Sequence, residues 1–201
     1  MNQGFTRVLF CLATVVVVGL LATASIETVR GAGVVTVTAS VGETVSCTTN
    51  IDAGSTAFGT LTTAAVFTST PNASTSLSCN TGLGCTLRVN DLGNGASPGL
   101  ATSSPAYLIP SANATLAAGT EGYGIQATST TGGSGGTLTI NTTYNVTSTD
   151  VGGLTIAQTI LASSTAAVTS RPVLVKHLAA ISATTQTAVY TDTITYSCTG
   201  N

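Results

Sequence analysis

Charged and aromatic side chains are scarce in this chain. Only 6% of its 201 residues are charged and 4% are aromatic, and it contains no tryptophan, one histidine and one lysine. A typical soluble domain is about 25% charged. Active sites need several ionisable groups that converge, and binding to nucleic acid or to an anionic lipid surface needs a basic patch. The scarcity therefore argues against an enzyme and against a nucleic-acid-binding protein.

Short alternating runs of Thr, Val, Ser, Ala and Gly fill the sequence instead. Two examples are TLTINTTY at 137–144 and YTDTITY at 190–196. β-Branched residues favour strands, and alternation with a period of two is typical of a strand with one buried face. Gly, Asn, Ser and Pro interrupt these runs at short intervals. The pattern predicts an all-β protein folded as an antiparallel β-sandwich.

Nine strands are predicted from these interruptions. They lie at about 34–41, 43–49, 56–61, 75–79, 84–90, 121–128, 137–147, 172–178 and 187–198. Residues 94–106 are rich in Gly, Ser, Ala and Pro and are predicted to form a long surface connection. Residues 154–168 are interpreted as strand or loop, with a short helix as the alternative.

The first 24 residues have the pattern of a secretory signal peptide. Arg7 precedes an apolar or small-residue run from Val8 to Leu21, and residues 22–24 (ATA) match the A-x-A cleavage motif. The run is shorter than the roughly 20 residues that span a bilayer. We therefore predict cleavage after residue 24, one mature domain at 25–201, and no membrane span after cleavage. The predicted location is extracellular or at the cell surface, by way of the periplasm in a Gram-negative cell.

Four cysteines remain after cleavage, Cys47, Cys79, Cys85 and Cys198. An even number in an exported chain indicates two disulfides. No C-x-x-C pair is present and only one histidine is available, so we expect no zinc or other metal, and no cofactor. Three pairings are possible. We favour Cys47–Cys79 with Cys85–Cys198, which ties the last strand to the early half of the chain, over a pairing that joins Cys79 to Cys85.

Several short segments, taken in order, resemble the secreted spore coat protein U domain family. They are 37–41 (VTASV) with Cys47, 57–61 (AFGTL), 77–82 (LSCNTG), 87–89 (LRV), and 190–195 (YTDTIT), which is similar to the family's closing strand. The resemblance implies an immunoglobulin-like sandwich, similar to chaperone–usher pilins, at the cell surface or in a filament. In such pilins an N-terminal extension adds a strand to the neighbouring subunit.

His177 is the residue that a catalytic triad would need. Serine is so abundant here that a Ser-His-Asp triad can be assembled from the sequence by chance, so the presence of these residue types carries little weight. We interpret His177 as a strand histidine beside Lys176 that faces solvent or a hydrogen-bond partner.

Five carboxylates could bind calcium or cleave a glycoside: Asp52, Asp91, Glu121, Asp150 and Asp192. None lies in a D-x-D-x-D loop. Asp91 and Asp150 are each followed closely by glycine, which predicts turns in which the aspartate bonds its own backbone.

Two aromatic residues stand beside glycine, in Phe58-Gly59 and in 121–124 (EGYG). A sugar-binding platform is one interpretation. We favour packing into the core, with the glycine permitting a bulge.

Only the two ends of the mature chain alternate well enough to be exchanged between subunits, at 25–41 and 187–198. Donating segment 25–41 to a neighbour would remove the first strand from the donor subunit's own sheet and leave an edge of that sheet open. The sequence therefore predicts a self-complete monomer that associates through its outer faces or edges.

Export, paired cysteines and strand alternation together predict a non-enzymatic structural or adhesive protein of the cell surface. Its expected partners are further copies of itself or other subunits of a pilus or filament, and not nucleic acid. The alternative is a monomeric extracellular module that binds carbohydrate or another surface ligand.

Overall fold

The computed structural model describes residues 38–50, 56–104 and 106–201, and every regular element within them is a β-strand. The strands are β1 (Val45–Asn50), β2 (Phe67–Thr68), β3 (Ala73–Cys79), β4 (Cys85–Asp91), β5 (Gly99–Ser103), β6 (Ala106–Pro110), β7 (Ala114–Thr115), β8 (Gly122–Ser129), β9 (Ser134–Gly135), β10 (Leu138–Ile140), β11 (Asp150–Val151), β12 (Thr159–Ser164), β13 (Val168–Ala180) and β14 (Ile194–Gly200). The predicted signal peptide at 1–24 lies outside the described residues.

The first sheet is built around β13, its longest strand. One edge of β13 pairs with β3 along its first part and with β2 near its end. The other edge pairs with β9 at its start and with β8 along the rest. β1 pairs with the far side of β3 and forms an edge of the sheet. All of these pairings are antiparallel.

The second sheet has the order β10–β12–β4–β14, and its pairings are also antiparallel. β4 is central, and β14, near the end of the chain, forms an edge. Two smaller pairs complete the fold, the β5–β6 hairpin and β7 with β11. Backbone hydrogen bonds between Ala101 of β5 and Thr191 attach the hairpin to the segment that leads into β14.

Alternation along the strands creates one core between the two sheets. Burial alternates at every residue of β3. Leu77 and Val173 of the first sheet and Leu87 and Val89 of the second are fully buried in the same cluster. Two antiparallel sheets that share a core form a β-sandwich. The prediction of an all-β antiparallel protein is confirmed, and the immunoglobulin-like strand order stays a prediction.

Several predicted strands are present within a few residues of their expected bounds. Those at 43–49, 75–79, 84–90, 121–128 and 172–178 correspond to β1, β3, β4, β8 and β13, and β12 confirms the strand interpretation within 154–168. The predicted strand at 34–41 is wrong over the part that the structure describes, because residues 38–41 are exposed and in no strand.

Other predicted strands are shorter than expected. The one at 56–61 is reduced to a single bridge at Ala57. The one at 137–147 ends with β10, because the Asn141 carbonyl accepts from the amides of Tyr144 and Asn145 and turns the chain. The one at 187–198 becomes a regular strand only at Ile194, since Thr191 pairs with β5 instead.

The predicted surface connection at 94–106 is wrong, because β5 (Gly99–Ser103) and β6 (Ala106–Pro110) pair as an antiparallel hairpin. Leu100 and Ile109 of this hairpin are buried. Gly99 has a φ of 140°, and a Cβ there would lie 2.2 Å from the carbonyl oxygen of Ile109. The glycine that indicates a loop in the sequence is therefore required here for close strand pairing.

The favoured disulfide pairing is also wrong. The structure joins Cys47 to Cys198 and Cys79 to Cys85, with Cα–Cα distances of 5.9 and 6.3 Å. β3 and β4 belong to different sheets, and the connection of residues 80–84 crosses between them, so the two strand ends that carry Cys79 and Cys85 must lie close together. Both bridges consequently link the first sheet to the second.

Candidate functional site

Two carboxyl groups face each other inside the sandwich. Asp91 is the last residue of β4 and follows Leu87 and Val89 on the inward face, so its side chain is carried into the core and is fully buried. Asp192 lies just before β14, where its Oδ1 accepts from the backbone amides of Thr193 at 2.7 Å and Gly93 at 3.2 Å. The pairing of Ile194 with Asp91 brings the two aspartates together.

This acid pair holds a proton. Neither oxygen of Asp91 nor Oδ2 of Asp192 receives a hydrogen bond from the described donors. Burial, contact with the Asp192 side chain and repulsion from its charge raise the pKa of Asp91 to about 8, although the amides of Gly93 and Gly99 oppose the rise. Two acceptor oxygens that meet in a core need a proton between them. A pKa raised to about 8 keeps the Asp91 carboxyl mostly protonated near neutral pH, and a protonated Asp91 can donate to the neighbouring Asp192.

His177 and Tyr123 form a second buried polar pair beside the acid pair. The Tyr123 hydroxyl lies 2.9 Å from His177 Nδ1, and the two rings are stacked with centroids 6.1 Å apart. Burial lowers the pKa of His177 to about 4, so the imidazole is neutral at physiological pH. Burial also raises the pKa of Tyr123 well above its usual value, with further contributions from Asp192 and Asp91.

Three of these four groups, Asp91, His177 and Tyr123, are inaccessible to a substrate, while Asp192 is half-buried. Asp91 is completely buried, and His177 and Tyr123 are 3% and 2% exposed. The sequence predicted that His177 faces either solvent or a hydrogen-bond partner, and the structure shows a partner, the Tyr123 hydroxyl. A glycosidase needs two separated carboxylates that flank a sugar in a cleft, whereas Asp91 and Asp192 contact each other in the core. The arrangement can share and hold protons, and its buried members Asp91, His177 and Tyr123 are closed off from solvent.

The remaining candidate carboxylates do not join this pair. Glu121 accepts hydrogen bonds from the hydroxyls of Tyr107, at 2.6 Å, and of Thr185, which attach β6 and the 181–186 segment to the start of β8. Asp150 is exposed and accepts from the Thr115 hydroxyl. Asp52 lies outside the described residues. Among the residues described, no three His, Cys, Asp or Glu side chains come together as metal ligands would.

The aromatic residues beside glycine pack inward, which confirms the favoured interpretation over a sugar platform. Phe58 is half-buried and meets the buried Tyr123 ring edge-on at 6.2 Å. Gly124 does not permit the bulge predicted from the sequence but allows Val151 to pack closely against the backbone of β8. A Cβ on Gly124 would lie 2.7 Å from the Val151 side chain.

One side of the sandwich is open at an edge. β14 pairs only with β4 in the described part of the chain, and β1 pairs only with β3. Thr193 accepts from the amide of Leu92. Because hydrogen-bonded pairs alternate in an antiparallel ladder, Ile194, Tyr196 and Cys198 direct their backbone N–H and C=O groups away from β4.

The inward side chains along this edge are incompletely covered. Val45, Cys47, Ile194, Tyr196 and Cys198 pack on the core but remain half-buried, while the inward residues of the central strand β4 are fully buried. We refer to this row of five side chains between β1 and β14 as the edge groove. It combines apolar surface with backbone groups that no described strand pairs, as an acceptor for an added strand does.

Comparison with known proteins gives no relative for this chain: no family model, no curated protein and no solved structure matches it. Across residues 38–50, 56–104 and 106–201, no helix is long and apolar enough to cross a bilayer.

Proposed function

We propose that the protein is an exported, non-catalytic subunit of a cell-surface structure or filament, and that its edge groove accepts a β-strand from a neighbouring copy. The observation that carries the proposal is the coincidence, along β14, of outward backbone groups and half-buried apolar side chains. Natural β-proteins usually cover or blunt such an edge. The resemblance to the spore coat protein U domain family, with its pilin-like sandwich, belongs to the same proposal.

The donor is best sought immediately before the first observed strand. β1 begins only at Val45, and residues 38–44 are exposed and in no strand. The objection that donation would strip the sheet of its first strand therefore does not apply to residues 38–41. In the sequence, Val35, Val37, Ala39 and Val41 alternate with small or polar residues, so one face of an extended segment 34–41 would be apolar and could cover the groove.

The geometry of the ionisable groups supports a non-catalytic role. Asp91 and His177 are sealed in the core, and Glu121 is occupied by hydroxyl donors from two other segments. A structural subunit needs no reactive group at its surface. Two disulfides that link the sheets suit a protein that works in an oxidising compartment.

Substitutions in the donor segment, which precedes the first observed strand in the sequence, test the proposal. Val37→Asp places a charge on the apolar face of segment 34–41, while Thr38→Asp places the same charge one residue away on the opposite face. We expect wild type and Thr38→Asp to form fibres or high-mass assemblies by electron microscopy and size-exclusion chromatography. Val37→Asp should remain monomeric, with an unchanged circular dichroism spectrum.

Two outcomes would overturn the proposal. The first is wild-type protein that stays monomeric at high concentration and also fails to bind a synthetic peptide of residues 34–41. The second is equal loss of assembly in the two variants, because strand addition is specific for the apolar face.

A further inference from the structure

A cavity lies on the outer face of the first sheet, on the side opposite the core. Its volume is about 310 Å³. β2, β8 and β13 form its floor, and the 146–148 loop forms one wall. The lining residues are Thr68, Gln126, Thr128, Val146, Thr147, Ser148, Leu174, Lys176 and Leu178. Pockets for small molecules start at about 300 Å³, so the cavity has room for one small ring and not for an extended chain.

The loop wall is held in place by a buried amide. The side-chain nitrogen of Gln126, a residue 7% exposed, donates to the backbone oxygens of Ser148 at 2.9 Å and Asp150 at 2.8 Å. Both N–H groups of the amide are thereby used, which leaves its oxygen as an acceptor. Ser148 has a φ of 59°, a conformation that non-glycine residues adopt infrequently. The wall is thus built by specific contacts.

The lining chemistry matches a sugar ring. Four hydroxyls, from Thr68, Thr128, Thr147 and Ser148, can both donate and accept, while Leu174 and Leu178 supply apolar surface for C–H groups. The described residues that line the cavity include no aromatic ring for stacking on a neutral sugar. Lys176 is the one charged side chain among the lining residues that the structure describes, and it is exposed. A single cation in a cavity of this size suits the single carboxylate of one sugar ring.

We propose that this cavity binds one acidic sugar residue of a surface polysaccharide, with Lys176 on the carboxylate and the hydroxyls and Gln126 on the ring. The site lies apart from the edge groove and does not depend on strand addition. Adjacent His177 takes no part, because its side chain is buried on the opposite face with Tyr123. The neighbouring acid at the start of β11, Asp150, accepts from the Thr115 hydroxyl and is not in the lining.

Lys176 is the only lysine in the chain, which allows a selective test. The mature protein is titrated by calorimetry with oligogalacturonate, and with neutral galactose oligomers of equal length. Saturable binding of the acidic oligomer alone is expected. Lys176→Gln should weaken it by about tenfold or more, because a charge-assisted hydrogen bond is lost. The matched control is Arg88→Gln, which removes a cation from β4 of the other sheet.

Amine acylation followed by peptide mass spectrometry gives a second measurement on the unmodified chain. Oligogalacturonate should slow the modification of Lys176 relative to that of the terminal amine, and the neutral oligomer should not. The absence of saturable binding, equal binding of the neutral oligomer, or an equal loss in Arg88→Gln would each overturn the proposal. Lys176→Gln should still assemble like wild type, so the failure of this proposal is distinguishable from failure of the filament proposal.

Discussion

The acid pair makes a specific prediction about stability and pH. In the folded protein the pKa of Asp91 is raised from 3.8 to about 8, so the native state keeps a proton that the unfolded chain releases. The free energy of unfolding must then fall as pH rises from about 4 to about 8. The pKa of His177 is lowered from 6.5 to about 4, which makes stability rise with pH between these two values.

The two effects oppose each other over part of the range. Each one-proton difference changes the free energy of unfolding by about 1.4 kcal/mol per pH unit. Between about pH 4 and 6.5 the slopes of Asp91 and His177 cancel, and stability stays nearly constant. Between pH 6.5 and 8 only the Asp91 slope remains, which amounts to a loss of roughly 2 kcal/mol. For a domain of this size that corresponds to a fall in Tm of roughly 4–8 °C.

Asp91→Asn separates these contributions. The asparagine amide can donate to Asp192 as the protonated acid does, but it cannot ionise. The variant should gain stability from pH 4 to 6.5, by about 3 kcal/mol from the His177 effect alone, and should then stay level to pH 8. Urea unfolding followed by circular dichroism at half-unit pH steps measures both profiles. Asp150→Asn, at an exposed carboxylate, should follow wild type.

A wild-type profile that is flat from pH 6.5 to 8 would refute the reasoning. So would an Asp91→Asn profile that runs parallel to that of wild type, because the titration would then belong to another group.

Three further predictions concern single positions. Non-reducing peptide mapping should yield a linked Cys47–Cys198 peptide, and a Cys47–Cys79 peptide would contradict the structure. Cys198→Ser should melt at a much lower temperature, because a bridge that closes a loop of 151 residues contributes about 5 kcal/mol to stability. His177→Ala should lower the free energy of unfolding in urea by about 1–3 kcal/mol, since the Tyr123 hydroxyl loses its buried partner. The variant should still assemble in electron micrographs, and loss of assembly in a folded variant would contradict this prediction. Gly84→Ala should lower the melting temperature strongly, because its Cβ would lie 2.1 Å from the Ser164 carbonyl oxygen and the residue has a φ of 80°. The control Gly82→Ala adds a Cβ that meets nothing within 4 Å, so its melting temperature should be nearly that of wild type.

Local alternation was sufficient to predict the strands that form the core. β3, β4 and β8 stand close to their predicted positions because each carries a regular inward row of apolar residues. The β5–β6 hairpin escaped prediction because glycine and proline at its ends are ordinary loop signals, and only the approach of Ile109 shows why Gly99 is needed. Local pattern cannot report a contact between distant segments.

The same limit explains the disulfides and the acid pair. Cysteine spacing does not say that β3 and β4 lie in opposite sheets, and that placement decides the pairing. Asp91 did carry a usable signal, since it continues the inward positions of Leu87 and Val89, but the glycines after it favoured a turn. Its partner Asp192 is a hundred residues away and could be identified only from the fold.

The Cys47–Cys198 bridge has a mechanical consequence. It joins the strand that follows the N-terminal segment to the strand at the open edge, and the chain between the two cysteines contains nearly all of the core. If a neighbour pulls on β14 while the N-terminal segment is held elsewhere, the tension passes from residue 47 to residue 198 through one covalent bond. The enclosed strands then carry little of the load. Such a subunit would resist extension at the strength of its backbone, and a reducing agent would turn the same domain into one that unravels under force.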